Sequence, residues 1–428
     1  MSRHTLHLSL PRAALAKLPT TDFLWRPVGE PSSLKTNVSP RAEELGAVSD
    51  PAVEFLRLAV LTYLVDRTTE RPRRGWQREL ELVVPVVDPE RWAPVVDRVN
   101  ATLGFLTGDA WDVSFIARRA AARRKVNTTI EPCDRVSLFS GGADSLGGLL
   151  VSVKDGVLPH LVSHSNWTIV AGSQNHVLDA LRRLDVPEAT RDLVDIGRQK
   201  RQIGSGLEFP HEPTSRSRSL IFVASGVAAA SVRGAELWIP ENGFASLNLP
   251  LAKERRGALS TRTTHPLLLD DLGGIIKDVG MDVRITNPFE LMTKGEVFSG
   301  VASEYGTSEA ASVLSASHSC ARSGANYHGF KPSTQCGVCF GCLVRRAAFA
   351  ASGLTDTTTY IEKSLRSDPD RRDKWLNRAD VVAIEYRAKR PYVMADVLAA
   401  SLPERVDPEA ALDLANRGAA ELALVKIP

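Results

Sequence analysis

The sequence predicts an α/β protein: a doubly wound, mostly parallel five-stranded sheet, preceded by an N-terminal α+β domain and followed by a C-terminal helical extension. Three observations predict it. From Arg135 onward, short apolar runs alternate with stretches of helical period; a Gly-Gly turn closes the first of these runs; and the composition is ordinary for a globular chain. At 428 residues and 43% hydrophobic, the chain has material for two or three domains of roughly 150 residues each.

The elements follow in order. Leu6, Leu8 and Leu10 alternate in the first 30 residues, and a loop follows around 29–40. Residues 41–68 carry Ala52, Phe55, Leu56, Ala59, Val60 and Leu64 at helical spacing. In WQRELELVVPVV, Leu80, Leu82 and Val84 alternate with charges as in a strand. A helix over 88–104 and a strand at Trp111–Ile116 complete a small unit, which ends in the basic stretch ARRAAARRK (117–125). Candidate strands then fall at 135–140, 158–164, 191–197, 235–240 and 282–288, with helices over 145–155, 173–184, 217–232, 266–279 and 293–304. Beyond about 355 the chain is charged and helical, punctuated by Pro391, Pro403 and Pro408. These shifts divide the chain into 1–130, 131–355 and 356–428.

Charge excludes some functions. With 53 Lys plus Arg against 50 Asp plus Glu, the net of +3 suits neither a basic nucleic-acid coat nor an acidic disordered tail. No apolar run reaches the roughly 18 residues of a membrane span. The opening MSRHTLHLSLPRAALAKLPT interrupts its apolar residues with His, Ser and Pro and reads poorly as an export signal. The expectation is a cytoplasmic protein whose five cysteines stay reduced.

Two segments carry chemistry. In SLFSGGADSLGGLL (137–150), a strand ends at Ser140 and the Gly141-Gly142 turn lets backbone approach a ligand closely. Asp144 and Ser145 then open a helix whose free N–H groups and positive dipole end favour a phosphate. There is no GxxxxGK[ST], so a lysine-bearing P-loop is excluded. In the second segment Cys336, Cys339 and Cys342 are spaced C-x2-C-x2-C, with Cys320 upstream. Four thiolates at such spacing can close tetrahedrally around a structural zinc, leaving no open position for water. An iron–sulfur cluster is the competing occupant, and His318 or His328 the competing ligand in place of Cys320. Cys133 reads as a small buried residue.

The string Ser140-Gly141-Gly142-x-Asp144-Ser145 resembles the pyrophosphatase loop of the ATP-pyrophosphatase superfamily. The resemblance implies an adenine nucleotide α-hydrolase-like fold and cleavage of ATP between its α and β phosphates. Those five residues would cradle pyrophosphate, Asp144 assisting a Mg²⁺, and Ser163 and His164 would contact the adenine. His164 reads equally well as a satisfied strand-end histidine. Loop and cysteine cluster together resemble the 7-cyano-7-deazaguanine synthase (QueC) family over roughly 134–355. Arg218-Ser219 stands for that family's Arg-Asn, Glu241-Asn242-Gly243 follows the fourth strand, and Lys294 in NPFELMTKGEVF (287–298) falls on the matching lysine. Ser219 and the loop 241–266 depart from the pattern. With the two extra regions, they make the chain similar to the QueC-like proteins of anti-phage defence clusters of the Qat or CBASS type.

The family chemistry implied is ATP activation of 7-carboxy-7-deazaguanine as an acyl-adenylate, then amide and nitrile formation. Candidate cations at the phosphates are Lys294, Arg218, Arg262 and Arg255. Glu241 and Asn242 are candidates for reading the substrate, and His265 reads as a ligand contact or a loop histidine. The resemblance also allows a ligase that joins the activated deazaguanine to an amine of a partner protein from the same gene cluster. A zinc-stabilised nucleic-acid-binding module and a tRNA-modifying enzyme using Cys133 complete the alternatives, although stable nucleic-acid binding is not expected at this charge.

Overall fold

The computed structural model describes residues 2–72, 75–118, 130–164, 168–214, 216–252, 262–322, 325, 329–331, 334–364 and 379–426. Strands β1 (Ser2–His7), β2 (Phe23–Leu24), β4 (Glu79–Val86) and β5 (Ala110–Ala117) form a sheet in the order β2-β1-β4-β5. β3 (Leu34–Thr36) instead pairs antiparallel with β9 (Ile196–Arg198) of the following unit. The N-terminal unit mixes strands and helices as expected, and all its sheet pairings are parallel. Parallel neighbours need long crossovers, which the Asp50–Thr68 and Val96–Thr107 helices supply.

The Asp50–Thr68 helix begins later than its apolar spacing suggested, because residues 43–45 form a 3-10 turn that ends at Gly46 with φ +116°. All its residues except Asp50 and Arg67 are buried. A helix covered on every side is a core helix; this one lies against β4 and against the Arg218–Arg233 helix. The helix expected over 88–104 is broken into Pro89–Trp92, a 3-10 turn and Val96–Thr107. Pro94 sits in that turn and has no N–H to continue a ladder.

The five expected strands of the central unit all form, trimmed at their ends: β6 (Arg135–Leu138), β7 (His160–His164), β8 (Arg191–Val194), β10 (Glu236–Trp238) and β11 (Ile285–Thr286). Their order is β11-β10-β6-β7-β8 and every pairing is parallel. The chain therefore builds outward from β6 in one direction, then returns to add β10 on its other side. Such a switch point opens a crevice beyond the carboxyl ends of the two strands, where ligands of open α/β sheets bind. The five expected helices appear as Ala143–Lys154, Thr168–Leu181, Arg218–Arg233, Pro266–Asp278 and Lys294–Tyr305. One apolar cluster runs from Trp25 and Phe55 through Val136 and Leu237, so the first two units share a core. A second cluster joins three of the cysteines to the helices Phe340–Ser352, Ala379–Ala388 and Pro408–Ala423. No helix among the described residues is long and apolar enough to cross a membrane. Most of the basic stretch 117–125 lies outside the described residues.

A buried ion network stitches the N-terminal unit to the segment before the Arg218–Arg233 helix. Asp66, fully buried, accepts from Arg78 (2.6 Å), from the Ser217 hydroxyl (2.6 Å) and from Thr214 (3.3 Å). Arg78 also reaches Asp109 (2.5 Å), which Arg71 holds from the other side (2.6 Å). Removing one partner of such a pair leaves charge in low dielectric without compensation. Asp66→Ala is expected to cost about 3 kcal/mol, read as a lowered urea midpoint with an unchanged m-value.

Candidate active site and metal centre

The site begins where β6 stops. Gly141 has φ +79°, and a Cβ there would stand 2.9 Å from the Gln174 backbone nitrogen, so glycine is required on both counts. The next residues form the Ala143–Lys154 helix, whose N-cap, Gly142, makes no side-chain cap bond. Its first-turn N–H groups thus face the crevice without a side-chain acceptor. Within the loop the Ser145 hydroxyl donates to Gly142 O (3.0 Å), and Gly142 N donates to Ser140 Oγ (3.3 Å). A Cβ on Gly148 would meet Pro240 at 2.3 Å, so glycine at this point lets the end of β10 lie directly on the helix.

That close approach brings the next group of residues in. Glu241 and Asn242 follow β10, and Asn287 fixes their turn by accepting from Glu241 N (3.2 Å) and donating to Glu241 O (2.8 Å). Lys294 opens the Lys294–Tyr305 helix, which a Thr293/Glu296 capping box starts. In the cavity Lys294 Nζ forms an ion pair with Asp144 Oδ2; the lysine is only 6% exposed. The Asn242 amide donates to Asp144 Oδ1 (3.3 Å) and to Glu241 Oε1 (3.1 Å), while its own oxygen caps the Gly243–Leu247 helix by accepting from Ala245 N (3.0 Å). Asn242 therefore ties two carboxyl groups together. Burial, and then the Asp144 charge, push the Glu241 carboxyl up to about 8, with Lys294 opposing the shift. The shift favours the protonated form of the Glu241 carboxyl.

The cavity around these groups holds about 430 Å³ and is lined by Ser140, Gly142, Asp144, Ser145, Glu241, Asn242 and Lys294. Its far wall includes Thr263, Ser319, Phe340 and Asp380, which the sequence puts in no ligand site, and His318, which it offers only as an alternative metal ligand. Their signal is faint: three are common polar residues in loops, and Asp380 comes from the C-terminal extension. Other candidates lie elsewhere. Gly141 backs the loop, its carbonyl accepting from His318 N (3.0 Å). The Ser163 hydroxyl is fully buried and donates to Phe139 O (2.9 Å). His164 bonds Ile196 O through Nε2 (3.2 Å), and burial, followed by the nearby Arg218 charge, lowers it to about 4. Arg218 accordingly sits by His164 rather than in the cavity lining, with its own pKa lowered by burial. Arg262 packs over the Phe105 ring (4.3 Å) and donates to Phe105 O (3.1 Å). His265 caps the Pro266–Asp278 helix, accepting from Leu267 N (3.2 Å). Arg255 and His328 lie outside the described residues.

The four cysteines converge as their spacing predicts. The sulfurs of Cys320, Cys336, Cys339 and Cys342 all lie within 4.8 Å of one another, with Cys336–Cys342 at 3.8 Å and Cys320–Cys339 at 3.9 Å. Thiolates at about 2.3 Å from a tetrahedral ion stand about 3.8 Å apart, so the donor set fits one metal such as zinc. A cluster of several irons and sulfides would have to spread the thiolates further. Backbone N–H groups of Arg322 (3.4 Å) and Cys336 (3.3 Å) point at Cys320 Sγ. Cys339 also lines the cavity, so the metal loop is one of its walls. Cys133 packs against the first apolar cluster.

Fold and site together define a class: an adenine nucleotide α-hydrolase-like α/β protein with a phosphate loop at the switch point of its sheet. Within it, half of the chain is similar to known 7-cyano-7-deazaguanine synthases. It is 28% identical over 243 residues to the enzyme of Pelobacter propionicus, covering 53% of this chain and 96% of the relative. It is 26% identical over 245 residues to that of Geotalea daltonii, covering 54% and 97%. With Geobacter sulfurreducens the figure is 25% over 246 residues, covering 53% and 92%. These likenesses support a QueC-like family for the chain. No protein-family model matches it. Because the relatives are used almost end to end, nearly half of this chain has no counterpart in them.

Two outcomes follow from the geometry. The folded chain keeps the Glu241 proton up to about pH 8, whereas an unfolded glutamate loses it near pH 4.3. Between those limits the native state binds the extra proton, so this group's stabilisation falls as pH rises. Glu241→Gln should flatten the decline of the urea midpoint between about pH 5 and pH 8 relative to the parent chain. Separately, elemental analysis of the purified chain should find one zinc per chain, and Cys339→Ser should lower both metal content and thermal midpoint.

Proposed function

We propose that this chain is an AMP-forming carbon–nitrogen ligase that activates the carboxylate of a 7-deazaguanine, 7-carboxy-7-deazaguanine, with Mg-ATP. The observation carrying the reading is the phosphate loop at the switch point, with Lys294 and Asp144 paired at its mouth. The similarity to 7-cyano-7-deazaguanine synthases supports the substrate class. In the first step a carboxylate oxygen attacks the α-phosphorus, the bond to the β-phosphate bridge breaks, and pyrophosphate leaves. The N–H groups of Ala143 to Ser145 receive the departing phosphates, and Lys294 offsets charge accumulating there. Asp144 is the carboxylate assigned to the Mg²⁺ that accompanies ATP. In the second step an amine attacks the acyl carbon and AMP leaves. The Glu241 carboxyl, which lines the same cavity, is assigned a hydrogen bond to the developing oxyanion, and the attacking amine loses its proton to water as AMP leaves. Cys320, Cys336, Cys339 and Cys342 would hold a zinc that shapes the wall and, with four protein ligands filling its coordination, would take no part in bond breaking.

The amine is ammonia in the simplest version: the amide forms first, and a second ATP adenylates the amide oxygen, which then leaves on AMP to give the nitrile. A second reading makes it an amine of a partner protein, in keeping with a defence role. The observation favouring it is the half of the chain without a counterpart in the relatives.

Chromatography after incubation with Mg-ATP, with and without 7-carboxy-7-deazaguanine, tests the proposal. Substrate-dependent AMP is expected, and Lys294→Ala should reduce its rate by roughly 100-fold or more. Intact ATP in both reactions would overturn carboxylate activation. The mass of the base product separates nitrile from amide, and a mass shift on a co-purified protein would move the assignment to conjugation.

A further inference from the structure

The C-terminal helix Pro408–Ala423 lies outside the resemblance yet reaches the residues that hold Lys294. Thr293, immediately before the lysine, donates from its hydroxyl to Glu421 Oε1. Gly295, immediately after it, donates its backbone N–H to Glu421 Oε2 (3.1 Å). One carboxylate thus grips both neighbours of Lys294 and covers the positive end of the Lys294–Tyr305 helix, where negative charge is favoured. One turn back on the same helix, Arg417 pairs with Glu296 of the capping box and donates to Leu291 O (3.1 Å). The contact has no slack: a Cβ on Gly295 would lie 2.4 Å from Glu421 Oε1. Lys294 itself sits in the cavity against Asp144.

We propose that Glu421 is the positioning residue of Lys294, fixing the first turn of its helix and so the place and direction of its ammonium group. This deepens the proposed active site and rests on that reading for its catalytic meaning, though not for its structural test. The extension then belongs to the site's scaffold. A lysine held at its two backbone neighbours keeps its station when a phosphate draws its charge away from Asp144, because the side chain moves and the helix start does not.

The test reads Lys294 directly in the full-length chain without nucleotide. Reductive methylation, quantified by peptide mass, reports how often the buried amine becomes accessible. Glu421→Ala should raise labelling of Lys294 by roughly tenfold, whereas Glu421→Gln, which can accept from Gly295 N and donate to Thr293 Oγ1, should stay near the parent. Gly295→Ala reaches the same contact from the other side and should match Glu421→Ala, which covers the case of a Glu421→Ala chain that does not fold. Leu422→Ala is the control: Leu422 is buried on the same helix, in the second apolar cluster, and its aliphatic side chain makes no hydrogen bond to Thr293 or Gly295. If Leu422→Ala raised Lys294 labelling as much at a similar loss of thermal stability, general loosening would explain the effect and the proposal would fall. Labelling that ignored Glu421→Ala and Gly295→Ala would also overturn it. Where substrate-dependent AMP is formed, Glu421→Ala should lower kcat with the dissociation constant for Mg-ATP moved less, and Glu421→Gln should restore it. A labelling hierarchy as expected, in a chain that forms no AMP, would sink the proposed reaction and leave the positioning role standing.

Discussion

The arrangement of the site depends on a single buried ion pair. Asp144 and Lys294 are 150 residues apart, and each is presented by the first turn of a helix. A buried pair of this kind survives only when its remaining valences are satisfied and its geometry is held from outside. Asn242 supplies the first condition by donating to the other Asp144 oxygen. The second is met by glycine packing between the Ala143–Lys154 helix and β10 and by the capping box before Lys294. Glu241 shows the consequence. The cavity brings two carboxyl groups near one ammonium, and the charge balance closes only if one carboxyl keeps a proton. Asp144 has the lysine, so Glu241 has the proton.

That balance shapes what the cavity can accept. Under the proposed function, a phosphate entering the loop would meet the N–H groups of Ala143 to Ser145 and compete with Asp144 for Lys294. Were the lysine to turn toward it, Asp144 would be left as a carboxylate beside Glu241, a pairing suited to a hard cation arriving with the nucleotide. On that reading, ligand and cation would stabilise each other's binding.

Local patterns were legible in the sequence, and partnerships were not. The five central strands and their helices are legible as short apolar runs alternating with stretches of helical period, because inner strands such as β6 and β7 are buried on both faces. Ser140–Ser145 and the four cysteines were legible because their chemistry needs close spacing in the chain. Arg218, matched to the family's arginine, and Arg262, a candidate from its charge, are expected as cavity cations, yet one lies beside His164 and the other on Phe105. Nothing local distinguishes an arginine facing a ligand from one packed on a ring across the molecule. The same limit applies to the parallel pairing of β4 with β5 and to the cap made by His265, both set by tertiary contact. The Asp50–Thr68 helix was legible as a helix but not as the seam between two sheets. Its buried Glu54, Arg57 and Asp66 look like a solvated face until their partners Trp92, Pro85 and Arg78 are in place.

The metal loop extends the argument from the site to the regions beyond it. His318 N donates to Gly141 O, so the peptide before the first thiolates rests on the back of the phosphate loop. Gln335 spans the loop by bonding Ser319 N (3.0 Å) and Ser317 O (3.1 Å), and the fully buried Arg345 holds Ser317 Oγ (2.7 Å) from the helix that carries Cys342. A metal drawing the four sulfurs together would thus tighten a chain of contacts ending on Gly141, whose left-handed conformation sets where the loop's N–H groups point. Asp380 reaches the same wall from the C-terminal extension and accepts from Phe340 N (2.9 Å), next to Cys339. The cavity is consequently bounded on one side by the switch point of the sheet. On the other it is bounded by a cysteine loop and C-terminal helices that share one apolar cluster. Either boundary alone would leave the phosphate loop open to water, and the ion pair at its mouth would lose the low dielectric that makes it strong.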